Sequence, residues 1–129
     1  MIGVDLRKPL EILIPAYDDA KGVTALFNQN LLARINRELE GNFVLEQFEH
    51  QVRWNDRESA VEMHLTSAIS QTVYVVGREF HFSAGESIHT ESSRKYDVPG
   101  FTLVCEHNGW HVDRIWQDEK HHFAVFGLI

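Results

Sequence analysis

Eight histidines are the first residues in this chain that invite a chemical reading: His50, His64, His81, His89, His107, His111, His121 and His122. A metal site needs three or four converging ligands, often paired on a helix or tight turn. No HExxH and no paired-cysteine motif is present. His64, His81 and His89 could share a sheet face by alternation, given a register that unites them; the other reading leaves all eight structural or solvated, and no metal is expected. A second candidate is Ile88-His-Thr-Glu-Ser-Ser-Arg-Lys-Tyr96, where an acid, hydroxyls and bases crowd together. A carboxylate with a hydroxyl two residues on, as in Glu91 and Ser93, points the same way in an extended segment and can hold a polar ring by two hydrogen bonds. On spacing alone, a solvated loop is the better account of these residues. Asp18-Asp19 reads as turn formation and helix capping.

Other chemistries lack their signatures. The eight glycines are dispersed, no two separated by a single residue, so the Gly-rich strand–turn–helix of a nucleotide cofactor site is missing. A nucleophile elbow and a phosphate-binding loop are missing too. Cys105, the single cysteine, forms no intrachain disulfide and reads as a small buried hydrophobe in an apolar run. Twelve basic against nineteen acidic residues give a net charge of -7, which argues against a nucleic-acid or anionic-membrane surface. No apolar stretch reaches membrane-span length and the start lacks signal-peptide shape, so the expected location is cytoplasmic. A length of 129 residues, 43% hydrophobic and 11% aromatic, suits one folded domain.

The elements that must position these residues emerge from periodicity. Met1 to Asp5 reads as a short strand and Leu10 to Tyr17 as a short or kinked helix around Pro15. Val23, Leu26, Phe27, Leu31, Ile35 and Leu39 recur at helical spacing, with Asn28, Gln29, Arg34, Arg37 and Glu38 between them, and Gly41 stops that helix. Phe43, Leu45 and Phe48 suggest a turn and a short helix. From Ala60 the period becomes two: Val61, Met63 and Leu65 alternate with Glu62, His64 and Thr66. Thr72 to Val76 and Glu79 to Phe82 form a hairpin about Gly77-Arg78. Ile88 to Tyr96 shows no clean period. Asp97-Val98-Pro99 opens a helix whose apolar face is Phe101, Leu103, Val104 and Cys105. Trp110 to Trp116 and His122 to Ile129 are an antiparallel strand pair.

Four blocks stand in order along the chain. The first is Ala16-Tyr-Asp-Asp-Ala-Lys-Gly-Val-Thr-Ala-Leu-Phe-Asn-Gln-Asn-Leu-Leu-Ala-Arg-Ile-Asn-Arg-Glu-Leu39. Glu62-Met-His-Leu65 and Ile88 to Tyr96 come next, then Gly109-Trp110 through Trp116-Gln-Asp to Phe123-Ala-Val-Phe126. Together they resemble the histidine-specific, S-adenosylmethionine-dependent methyltransferase family, which includes the enzyme that trimethylates the α-amine of histidine on the route to ergothioneine. The resemblance implies that Tyr17 holds the substrate's amino-acid backbone, that Glu91 and Ser93 grip an imidazole ring, and that Met63 lines the ring pocket. It places the cofactor-binding glycines before residue 1, so no cofactor-binding residue is assigned here. The implied fold is α/β, or α+β as an isolated chain: the C-terminal half of a Rossmann-like methyltransferase with an inserted substrate-binding helix and antiparallel-strand unit. Residues 1–20 would be the last parallel strand and exit segment, 21–96 the substrate-binding insertion, and 97–129 the terminal helix and strand pair.

The expected function is N-methylation of the α-amine of histidine or a related amino acid, with S-adenosylmethionine as the family's cofactor and a small amino acid as partner. The alternative is a non-catalytic amino-acid-binding or oligomerisation module derived from that enzyme. A half sheet with unpaired edges is expected to form a homo-oligomer.

Overall fold

The computed structural model describes all residues 1–129 and is mixed α/β, with three helices and antiparallel sheets. The first sheet has the order β1-β8-β7, where β1 is Ile2–Asp5, β7 is Val112–Gln117 and β8 is Phe123–Leu128. Both pairings are antiparallel. Helix α3, Val98–His107, covers this sheet: Phe101 and Cys105 pack against Val4, Leu6, Ala124 and Phe126. Asp97 caps α3 by accepting the Gly100 N–H at 2.6 Å, with Pro99 in the first turn, where its missing N–H costs nothing. Leu103 and Val104, expected on the buried face, are about half exposed.

The second sheet has the order β2-β3-β6, formed by Phe48–Asn55, Ala60–Ser67 and Ser87–Arg94. Helices α1 (Leu10–Tyr17) and α2 (Val23–Glu38) lie on one face, with a core of Leu32, Phe43, Phe48, Leu65 and Val73. The short helix expected between Phe43 and Phe48 is the 3-10 turn Leu45–Gln47, which leads into β2, a full strand that the sequence pattern did not show. The hairpin β4–β5, Gln71–Val75 and Arg78–Phe82, turns on Val76 and Gly77 at φ of 49° and 71°. Two consecutive left-handed residues match the twist of the flanking strands.

The buried face of α2 follows its apolar pattern at Ile35 but departs from it in the N-terminal half. Asn28 and Leu32 are buried, whereas Val23, Leu26 and Phe27 are 61–67% exposed. The Asn28 amide has work inside that an apolar residue there would leave undone: its Nδ2 donates to the His64 carbonyl and meets His50 Nδ1 at 3.0 Å. The start of α2 is held by Asp19, whose carboxylate accepts the N–H groups of Thr24 and Val23. Those bonds, Thr24 foremost, hold its carboxyl down at about 2.

The sheets are joined beside the end of β6 by backbone and side-chain contacts. Leu6 bridges Tyr96 in parallel where β6 ends, and Arg7 stacks over the Trp54 ring at 5.6 Å while pairing with Asp56. The chain leaving β1 is thus stitched to the end of β6.

Candidate functional site

Ile88 to Tyr96, which showed no period, is mostly the edge strand β6, and a bulge explains the lost alternation. Register runs Leu65↔Ile88 and His64↔His89, then shifts so that Met63 faces Glu91 and Val61 faces Ser93. Thr90 is the extra residue, and its hydroxyl donates to the Met63 carbonyl at 2.9 Å. A bulge inserts one residue and reverses the facing of the residues beyond it. Glu91 and Ser93 therefore share the helix-covered face with Met63, while His89 points to the other side.

Tyr17, the last residue of α1, reaches this face. Its hydroxyl lies 2.8 Å from Ser93 Oγ. Met63 is 4% exposed between β2 and β6, and Glu91 lines an open cavity of about 250 Å³ with Phe27, Asn28, Leu31, Arg34 and Thr90. All four residues singled out from the sequence, Tyr17, Met63, Glu91 and Ser93, therefore lie on one side of one sheet. The exposed Phe27 and Leu31, expected on the buried face of α2, form an apolar wall beside the Glu91 carboxylate.

Three further residues carry the site. Lys95, 2% exposed, donates to the Tyr17 hydroxyl at 2.6 Å, to Ser93 Oγ at 2.8 Å and to the Asp5 carboxylate at 2.7 Å. Burial pushes the Asp5 carboxyl up, but hydrogen bonds from Lys8 and Lys95 outweigh it, and the group is held below its ordinary value. Asp5 is accordingly anionic at neutral pH and balances the buried ammonium. His50 and Asn28 form the second support. The Asn28 amide is a donor to both its partners, so His50 Nδ1 accepts and His50 Nε2–H donates to the Tyr17 carbonyl at 2.9 Å. That relay runs from α2 through β2 to the end of α1 and fixes Tyr17 from behind. None of the three was assigned to the site from the sequence, where His50 stood among eight histidines, Lys95 among the bases of Ile88 to Tyr96 and Asn28 on the polar side of its helix; only the tertiary packing of α2 and of β1, β2 and β6 assembles them.

The histidines sort differently from the sheet-face reading. His64 and His89 are cross-strand neighbours with stacked rings, centroids 4.8 Å apart and planes 15° apart. His81 belongs to β5 in another sheet, where its Nδ1 meets Thr72 Oγ1 at 2.8 Å. The third member beside the pair is Glu62, at 3.1 Å from His64 Nε2, and the candidate ligand atoms of Glu62, His64 and His89 lie within 4.8 Å of one another. Parallel rings send their in-plane lone pairs side by side rather than toward one point, and His89 Nε2 already meets the Glu91 carbonyl and the Ser92 hydroxyl. Burial, the dominant cause, pushes the His64 ring below its ordinary value against the pull of Glu62. The cluster lies on the face opposite Tyr17, Glu91 and Ser93.

Comparison with known proteins adds to this geometry. The chain is 39% identical to a histidine N-alpha-methyltransferase of Mycolicibacterium smegmatis and 41% identical to one of Mycobacterium tuberculosis, each over 97% of this chain. It is 26% identical to the N-methyltransferase imqF of Aspergillus flavus over 93% of its length. It spans 40% of the length of the two bacterial relatives and 33% of the fungal one. Residues 1–128 match the family described as histidine-specific methyltransferase, SAM-dependent, and the chain belongs to that family.

Proposed function

We propose that this chain is the amino-acid side of an N-methyltransferase acting on the α-amine of histidine or a close relative. The observation that carries the reading is the shared face: the Tyr17 and Ser93 hydroxyls joined at 2.8 Å, with Glu91 two residues along the same strand and Met63 beside it. Tyr17 holds the substrate backbone. Glu91 accepts one ring N–H, Ser93 meets the other ring nitrogen, and Met63 packs on the ring. The α-amine must be neutral to attack a methyl group, and the task of these residues is to fix its position rather than to activate it covalently.

S-adenosylmethionine is the family's methyl donor, and the residues present do not form a cradle for it. The glycines at positive φ, Gly22, Gly77, Gly85 and Gly109, sit in four separate turns, and none follows β1. Asp5, the carboxylate at the end of β1, is occupied by Lys8 and Lys95. On this reading the donor is bound by residues outside the 129, β1 is the last strand of a Rossmann-like sheet, and residues 21–96 are the substrate-binding insertion. The single observation in favour of the second reading, a binding or oligomerisation module, is the same missing cradle.

The test is methyl transfer by the chain completed with a cofactor-binding part. Tyr17→Phe is expected to lower kcat/KM for all amino-acid substrates about equally. Ser93→Ala is expected to lower it for histidine about fivefold, from the loss of roughly 1 kcal/mol, and less for an aromatic amino acid. A Ser93→Ala loss shared equally by both substrates removes the ring assignment.

A further inference from the structure

The ammonium of Lys95 has three protons, and the structure accounts for all of them: Asp5, Tyr17 and Ser93 each accept one. The remaining bond of the cluster, between Tyr17 Oη and Ser93 Oγ, uses one hydroxyl proton. With a lone pair on each oxygen already taken by Lys95, one O–H and one lone pair are left for a ligand, and they sit on different residues. Either Tyr17 keeps its proton and Ser93 keeps a lone pair, or the reverse. The pair cannot present two donors while the bond between them stands.

Charge decides between the two arrangements. Lys95 and Lys8 share the one Asp5 carboxylate, so this cluster keeps a net positive charge. Lys95 touches both hydroxyls, but its ammonium also lies 4.8 Å over the Tyr17 ring. The charge favours an anionic ligand group at the Tyr17 end, away from Glu91. The Glu91 carboxylate lies beyond Ser93 on the same face and favours a cationic group there. The other charged or titratable neighbours are engaged: Asp5 is shared between Lys8 and Lys95, Arg34 on α2 is bonded to Glu38, and His50 on β2 is held between Asn28 and the Tyr17 carbonyl. We infer that Lys95 is a positioning residue that sets the direction of the hydroxyl pair, so that Tyr17 donates to the ligand's carboxylate and Ser93 accepts from its ring, and the pocket selects histidine with a doubly protonated imidazolium ring. The inference rests on the amino-acid reading of the site and sharpens it: two acceptors, Glu91 and Ser93, match a ring that donates from both nitrogens.

The experiment is an NMR titration of the ring of the Nα-trimethyl form of histidine, free and bound to the 129-residue chain. That ligand has a carboxylate and an imidazole but no titrating α-amine, so its ring shift reports the ring alone. A tenfold preference for the imidazolium raises the bound ring's pKa by one pH unit, and a rise of about that size or more is expected. Binding with an unchanged or lowered ring pKa overturns the inference while leaving the amino-acid site intact. Absence of binding by any imidazole ligand instead removes the reading on which it rests. Lys95→Met is expected to weaken the carboxylate-bearing ligand about tenfold more than histamine, which has the ring without the carboxylate. Tyr17→Phe, which leaves the Lys95–Asp5 pair in place, carries the same comparison if Lys95→Met does not fold. Equal losses for both ligands in the folded variant assign Lys95 a structural role and overturn the proposal.

Discussion

Replacing Asn28 by leucine sets the helical pattern of α2 against its observed packing. The six apolar residues spaced along this helix make position 28 look like a solvent-facing polar site, where leucine should change stability little. The structure instead places Asn28 at 3% exposure, donating to the His64 carbonyl at 3.2 Å and to His50 Nδ1 at 3.0 Å. Leucine fills the space but strands both acceptors. A buried group left without its partner costs about 1–3 kcal/mol, so the two together cost roughly 2–4 kcal/mol, given that His50 is only partly buried. With a urea dependence of about 2 kcal/mol per molar, the unfolding midpoint falls by about 1–2 M. Asn28→Asp, which keeps the volume but replaces the donating amide by acceptors, is expected to lose at least as much. The assay is urea unfolding monitored by circular dichroism at neutral pH. A leucine variant within about 0.5 kcal/mol of the parent, or more stable, would refute the donor role and return α2 to its simple apolar reading.

Acidification acts first through His64. Its ring is held below 6.5 by burial, so below about pH 6.5 the unfolded chain takes up the proton before the folded one; stability is full above that pH and declines beneath it. Urea midpoints at pH 7.5 and 5.5 should show this drop, and His64→Leu should shrink it; an equal drop in the variant assigns the effect elsewhere. Asp5 adds a second loss only at lower pH: its carboxyl lies below 3.8, so its contribution is present above that value and disappears as pH falls through the folded-state value. The chain is also expected to associate in solution, because β1, β7 and β2 are sheet edges and Leu26, Phe27 and Trp116 are exposed. Light scattering giving a monomer mass across micromolar concentrations contradicts that expectation.

Much of the fold was legible wherever a local rule acted alone. Asp97 and Pro99 mark the start of α3, Gly77 marks the β4–β5 turn, and the alternation from Val61 to Leu65 marks β3. Legibility failed where tertiary partners overruled the pattern. Strand β2 escaped notice because its inward side, Phe48, His50, Val52 and Trp54, includes a histidine whose burial makes sense only once Asn28 and the Tyr17 carbonyl are present. Strand β6 looked aperiodic because the Thr90 bulge shifts its parity between His89 and Glu91. The same bulge separates the stacked histidines from the Glu91–Ser93 pair, so neither site could be sorted by counting residues. Spacing alone raised Glu91 and Ser93 as a pair able to hold a polar ring, whereas their imidazole role, and Tyr17 and Met63, came from block resemblance. Lys95 was overlooked because a lysine after two serines and an arginine reads as a solvated end, until Asp5 arrives from the other sheet to pair with it.

The central claim is that Glu91 reads the substrate's ring, and one substitution tests it directly. Glu91→Ala removes the acceptor for a ring N–H, a charge-assisted bond whose loss costs about 1.5–3 kcal/mol, or roughly ten- to a hundredfold in kcat/KM. The measurement is kcat/KM for histidine and for an apolar aromatic amino acid, in parent and variant, with the chain completed by a cofactor-binding part. The account predicts a loss of that size for histidine, and little loss or a gain for the aromatic substrate, which never used the bond. Equal losses for both substrates would make Glu91 a structural carboxylate and contradict the account.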